Sequence, residues 1–184
     1  MPHRNYLAGR GFDPDFLIKQ YKLKAVYNTG DQKYRFRIIA PVFTNGRMVS
    51  FIAAAIVRKE GVVPYLNCTP EEAVDPINHC LYNYDSVGDT AVIVEGITDV
   101  WRMGVGFIAT FRKGMTSEQI LLLRKKKPKR VFIMYDPDAI KQSEKLRDHL
   151  ISIFPYVEIL ELTNGDPGSQ SVQETMEIRK EIFS

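Results

Sequence analysis

From residue 91 onward the chain alternates short apolar runs with helix-patterned segments. Residues 91–94, 107–110, 130–135 and 157–160 read as buried strands, and 97–103, 117–123, 138–153 and 170–182 read as helices. Strands separated by helices of that length cannot pair through hairpins, so they predict a mostly parallel sheet covered by helices on both faces. The same order constrains where function sits, because open parallel sheets bind ligands outside the carboxyl ends of their strands.

Three of those strand ends carry acids. Residues 91–94 run directly into Glu95-Gly96, and Asp99 lies four positions after Glu95. That spacing places both carboxylates on one face if the helix starts at once, with Gly96 permitting the sharp turn. Residues 130–135 end in Asp136-Pro137-Asp138, and 157–160 are followed by Asn164-Gly165-Asp166-Pro167. Carboxylates gathered at neighbouring strand ends repel, and a hard divalent cation with oxygen ligands, Mg2+ or Mn2+, compensates them most readily. Each acid also has an ordinary structural use: Asp138 as the cap of the long helix, Glu95 and Asp99 as first-turn acids, Asp166 in a turn. Their coincidence at three strand ends weakens that explanation.

The first part of the chain has a different texture. Residues 34–43 and 48–57 read as strands joined at Asn45-Gly46, a tight hairpin signal. A short helix over 14–21 precedes them, capped by Asp13 with Pro14 in its first turn. A Pro-containing link over 68–76 and a short helix near 78–82 complete it, with no internal repeat.

Composition sets the remaining bounds. The 184 residues suffice for one compact domain or two small lobes, and 45% apolar with 26% charged residues describe an ordinary folded protein. A net charge of +3, from 25 basic and 22 acidic residues, excludes nucleic-acid binding by bulk charge, so any such binding needs local patches. Cys68 and Cys80 are too few for an all-cysteine zinc site and read as buried reduced thiols. The start has no apolar signal segment, and the longest apolar stretch, 51–57, is far short of a membrane span. These features predict a soluble cytoplasmic protein without a membrane partner. His3, His79 and His149 share no ligand spacing, and Trp101 reads as core or interface. The basic run 124–130 enters the amino end of its strand, opposite the acids, and reads as a solvated loop with cations at a helix C-terminus.

Taken in order, VIVEGITDV, then YDPDA about forty residues on, then NGDP, resemble the Toprim domain of bacterial-type primases, topoisomerases and some nucleases. YLAGRGF, YRFRIIAPVF, NGRMVSF and VPYLNCTPE stand in the order and spacing of the catalytic core of DnaG-type bacterial and phage primases, so the resemblance covers residues 6 to 178. It implies an α/β chain, α+β overall, with an amino-terminal mixed α/β basic lobe (1–88) packed on a Toprim domain (89–184). Within it, Glu95 matches the family's invariant acid, Asp99 its companion in EGxxD, Asp136 and Asp138 the metal-binding DxD pair, and Asp166 the first acid of the later DPD. The resemblance further assigns Arg10, Arg35 and Arg37 to template and nucleotide phosphates, and Tyr65 and Asn67, in the position of a KYLN motif, to nucleic-acid or nucleotide binding, Asn67 by offering its amide to a phosphate or base.

Several positions depart from the pattern. Pro64 stands where a lysine precedes YLN, and Ala54 where an arginine is expected; Arg58 and Lys59 lie nearby in sequence. Pro137 replaces a glycine, Ile140-Lys141 replace an AG pair, Phe111-Arg112-Lys113 replace an LGT turn, and Gly168 replaces the last acid of DPD. Nucleotide handling is therefore more affected than metal binding.

The resemblance implies a DNA primase core that joins ribonucleotides on a single-stranded DNA template with Mg2+ or Mn2+. Its partners would be ribonucleoside triphosphates, a replicative helicase and a separate zinc-binding domain, since two cysteines without a CxxC pair are too few for the zinc site in this chain. Two other readings use the same residues: a Toprim-type metal-dependent nuclease, and a divergent homologue that binds single strands without polymerising.

Overall fold

The computed structural model describes residues 1–28, 32–57, 59–162 and 165–184, and the chain divides into two compact units, Met1–Ile77 and Asn78–Ser184. Arg58 and Asn164, singled out in the sequence, lie outside the described residues.

The first unit holds α1 (Pro2–Gly9), α2 (Pro14–Tyr21) and an antiparallel sheet of β1 (Lys24–Val26), β2 (Arg37–Thr44), β3 (Arg47–Ala55) and β4 (Tyr65–Asn67), in that spatial order. Asp13 caps α2 as its side chain predicts, accepting from the amides of Asp15 and Phe16. β2 and β3 meet at Asn45-Gly46, where φ values of 53° and 75° make the tight turn whose twist matches the flanking strands. β2 starts three residues later than the aromatic pattern suggests. Gln32–Tyr34 forms a 3-10 turn and Phe36 takes φ 52°, which breaks the extended run, so Tyr34 and Arg35 do not alternate along the strand. Tyr34 is instead drawn aside by a 2.6 Å hydrogen bond to Glu72 and an edge contact with Phe51.

The second unit is built on four strands, β5 (Thr90–Val94), β6 (Phe107–Ala109), β7 (Arg130–Ile133) and β8 (Val157–Ile159), all parallel and ordered β6-β5-β7-β8. Every residue of β5 and β6 is buried, as expected where helices cover both faces. On one face Ala91, Ile93, Val131 and Ile133 share a core with Ile120 and Leu123 of α4 (Ser117–Lys126) and Leu146 and Leu150 of α5 (Ile140–Leu150). The alternate residues Val92 and Val94 turn to the other face, where α3 (Ile97–Met103) packs beside β6 and against α6 (Val172–Phe183). Leu81, Tyr84 and Val87 belong to the α4–α5 core, and Tyr82 bridges to Ala109. Residues 78–88, placed in the amino-terminal lobe by sequence, thus pack within the second unit.

α5 is shorter than its sequence pattern. Pro137 to Ala139 form a separate 3-10 turn, so Asp138 precedes the helix and does not cap it. Both cysteines are free and buried. Trp101 is core, its indole N–H donating to Tyr82 at 2.9 Å. The basic run is tied down at the amino ends of the strands: Lys126 lies over Tyr84, Lys129 pairs with Asp89, and Arg130 donates to Thr90.

Candidate metal centre and basic surface

β5 and β7 are neighbours in register, Ile93 opposite Ile133, so their carboxyl ends finish side by side. The pairing runs one step further through the Met134 amide and the Ile93 carbonyl, 2.9 Å apart. Glu95 leaves the first strand end and Asp136 the second, and the Asp136 amide donates to Glu95 Oε1 at 3.3 Å. Asp138 follows on the 3-10 turn. Glu95, Asp136 and Asp138 each present a carboxylate oxygen within 4.8 Å of the other two.

The crowding of these carboxylates shows in their electrostatics. Burial, then the charge of Asp136, raises the Glu95 carboxyl above the usual range; burial, then Asp166 and Asp138, does the same to Asp136. Three carboxylate oxygens fit a hard divalent ion, which holds ligands at about 2.1 Å and so no more than about 4.2 Å apart.

The other two acids lie outside this trio of oxygens but within reach of its charges. The expectation that Glu95 and Asp99 share a helical face is corrected: α3 begins at Ile97, after Glu95, and Asp99 reaches back from its first turn to accept the Gly96 amide at 2.8 Å. Asp99 is 7% exposed, and burial raises its carboxyl to about 7. Gly96 sits in extended backbone at φ −116°, so no special torsion calls for glycine there. Space is tight, since a Cβ would come 3.3 Å from Asp99 Oδ2, which would have to give by a few tenths of an ångström. Asp166 opens the 3-10 turn Pro167–Ser169, and Asp99 and Asp166 both border Gly168. A Cβ at Gly168 would lie 2.7 Å from Asp99 Oδ1 and 3.3 Å from Asp166 Oδ1. The position where the resemblance expects an acid is therefore filled by the neighbouring Asp99.

Lys113 is the residue that sequence reasoning passed over. It follows β6, a strand end without acids, and its ammonium lies 2.7 Å from Asp138 Oδ1. The strand-end rule could have found it had basic residues been counted with acidic ones.

In the first unit the predicted basic residues divide. Arg10, just after α1, lies 3.4 Å from the Tyr6 hydroxyl, near the Tyr6 and Phe12 rings and within reach of the Tyr65 hydroxyl. Tyr65 and Asn67, two apart on edge strand β4, are both exposed on one face. Tyr65 and Tyr6 line an open pocket of about 540 Å3 with Lys59, Glu60, Val62 and Pro64. Arg35 is half-buried and bonds to Asn28. Arg37 is 6% exposed and donates to the carbonyls of Ala53, Val63 and Pro64, so it pins the chain before β4 to β3.

The chain thus pairs a small antiparallel unit bearing exposed basic and aromatic residues with a parallel α/β unit whose strand ends gather acids. No protein-family profile matches it and no curated protein sequence matches it. Solved structures do. The Aquifex aeolicus primase structure, containing zinc-binding and RNA polymerase domains, matches with a TM-score of 0.79 and 21% identity over 97% of this chain. A DnaG primase catalytic domain bound to single-stranded DNA matches with 0.74, 19% and 98%, and the primase fragment of the bacteriophage T7 primase-helicase with 0.68, 13% and 97%. The chain spans 54%, 71% and 73% of those three chains. It has the fold of a DnaG-type primase catalytic core.

Proposed function

We propose that this chain is the catalytic core of a DNA primase, synthesising short RNA primers on single-stranded DNA by metal-dependent nucleotidyl transfer. The observation that carries the reading is the Glu95, Asp136 and Asp138 cluster at adjacent ends of β5 and β7, in a chain with the primase-core fold. These three side chains would hold Mg2+ or Mn2+, with Asp99 and Asp166 behind them. The chemistry such an ion would supply there is neutralisation of phosphate charge and stabilisation of the charge that develops on the leaving pyrophosphate.

The chain's own residues divide the remaining work. The Gly96–Asp99 hydrogen bond fixes the turn from which Glu95 projects. Arg10, Tyr65 and Asn67 offer a cation, an aromatic face and an amide on the exposed side of the first unit, suited to a single strand's phosphates and bases. Arg35 would add a second cation. Arg37 acts on this surface indirectly, by holding the segment that carries Tyr65. A single-stranded DNA template is supported as a partner by the DNA-bound neighbour, and a replicative helicase by the T7 primase-helicase. Ribonucleoside triphosphates and a separate zinc domain complete the proposal.

The test is template-dependent primer synthesis with ribonucleotides and Mg2+, with and without a separately supplied zinc domain. Activity in the wild type that falls at least a hundredfold in Asp136→Ala (about 3 kcal/mol of transition-state stabilisation) is the expected result. A folded wild type that binds single strands but makes no primer would favour the non-polymerising reading, to which buried Ala54, Pro64 and the sequestered Arg37 lend weight.

A further inference from the structure

Charge is unevenly placed within the second unit. Six of its 14 basic side chains fall in the seven positions 124–130, and the rest of the unit holds 8 basic and 15 acidic side chains, a net charge of −7. The backbone of the run is closed into a fixed turn. Lys127 takes φ 53° and donates its amide to the Arg124 carbonyl, Pro128 is buried, and the amides of Lys129 and Arg130 both donate to the Asp89 carbonyl, at 2.7 and 3.0 Å. Six cations are thus gathered at the amino ends of the strands against their mutual repulsion. Local structure accounts for few of them. A helix C-terminus presents about half a negative charge whose pull fades within one turn, so one or two cations satisfy it. Among the described residues, only Lys129 of the six pairs with a carboxylate, while Lys126 lies over Tyr84 and Arg130 donates to Thr90. Arg124, Lys125 and Lys127 are exposed. Beside Arg130, the Tyr156 carbonyl accepts the Val131 amide at 2.9 Å, and the Tyr156 ring is 46% exposed with its hydroxyl held by Glu158.

We propose that residues 124–130, with Tyr156, form a second nucleic-acid surface, which holds the sugar-phosphate backbone of a single strand at the end of the parallel sheet opposite the acids. Arg130 opens β7 and Asp136 lies beyond its other end, about 20 Å away for six extended residues. A phosphate held by the run is therefore a different one from any held at the acids. The chemistry fits a strand better than an acidic polypeptide. Arg124 offers a planar fork that matches a phosphate, the lysines offer point charges, and the Tyr156 ring offers a face on which a base can stack. The net −7 of the remaining surface repels a polyanion elsewhere on this unit and so directs it to the run. The inference is independent of the metal-binding reading, since a chain that binds strands without polymerising would use the same surface.

The measurement is fluorescence anisotropy of a labelled single-stranded DNA of about 20 nucleotides with the full chain in EDTA, between about 50 and 300 mM salt. Wild type is compared with a triple variant (Arg124→Gln, Lys125→Gln, Lys127→Asn), in which asparagine suits the left-handed turn at 127. A charge-matched control (Lys141→Gln, Lys145→Gln, Lys180→Gln) removes three exposed cations from the same unit, and Tyr156→Ala tests the ring. Circular dichroism checks that each is folded. The triple variant should lower the slope of log K against log salt by about 2 and the affinity at the lowest salt by about tenfold or more. The control should stay within about twofold of wild type, and Tyr156→Ala should bind about fivefold more weakly. Unmoved affinity and slope in the triple variant would overturn the proposal, whatever Arg10→Ala does to binding. Equal losses in the triple variant and the control would overturn it as well, by showing that net charge alone matters. Displacement of the strand by polyglutamate as effectively, charge for charge, as by unlabelled DNA would make the run a surface for acidic protein instead. A wild type that binds no strand would overturn this surface and the proposed template partner together, whereas loss of primer synthesis in Asp136→Ala with strand binding intact keeps the two apart.

Discussion

Asp99 is buried against the Gly96 amide, its carboxyl raised to about 7 from an ordinary 3.8. The folded state therefore holds a proton that the unfolded chain releases near pH 4. Stability from this group is fully present below about pH 4, declines as pH rises towards 7, and is flat beyond. Over that window the metal-free protein should lose up to about 4 kcal/mol on account of Asp99. Asp99→Asn, which keeps an acceptor for Gly96, should reduce the slope to what the raised carboxyls of Glu95 and Asp136 contribute, as denaturant melts between pH 4 and 8 would show; an unchanged slope would refute the assignment. Gly168 is the complementary case. Gly168→Asp restores the acid expected from the resemblance but sets its Cβ 2.7 Å from Asp99 Oδ1. It should lower stability by about 2 kcal/mol or more, read as a fall in melting temperature.

At the scale of elements, the site depends on how β5 and β7 are held and how α6 closes the opposite face. Ile93, fully buried and paired with Ile133, lies two residues before Glu95. Ile93→Ala should cost about 3 kcal/mol by leaving a cavity in the α4–α5 core, measurable by urea denaturation. α6 docks through Arg179, which donates to the Val105 carbonyl at 2.9 Å, and through Phe183, whose ring lies over Gly106. Gly106 has φ 88°, and a Cβ there would come 2.5 Å from the Phe183 ring. Gly106→Ala meets both torsional strain and that ring, so α6 should lose hydrogen-exchange protection before β5 does. Simultaneous loss of protection in both would show that α6 is not a separate unit of stability.

For the molecule as a whole, the net charge of +3 hides an uneven division. Residues 1–77 hold 11 basic and 7 acidic side chains, and residues 78–184 hold 14 and 15. The single-strand binding proposed for the first unit should weaken with salt, and Arg10→Ala should reduce the slope of log K against log salt by about 0.7, the share of a single phosphate; an unaltered slope would remove Arg10 from the proposed interface. By itself the sequence determined the succession of elements and the places where acids must emerge. Period, caps and turn residues are local, and Asp13, Asn45-Gly46 and the apolar runs of β5 and β7 act within a few positions of themselves. Tertiary structure decided which of those residues meet. Strand order brought Asp136 beside Glu95, burial set Asp99 apart on the Gly96 amide, and a torsion at Phe36 took Tyr34 out of its strand. Three backbone carbonyls claimed Arg37, and Lys113 reached Asp138 across 25 positions. Such pairings depend on distances in space that no local pattern encodes.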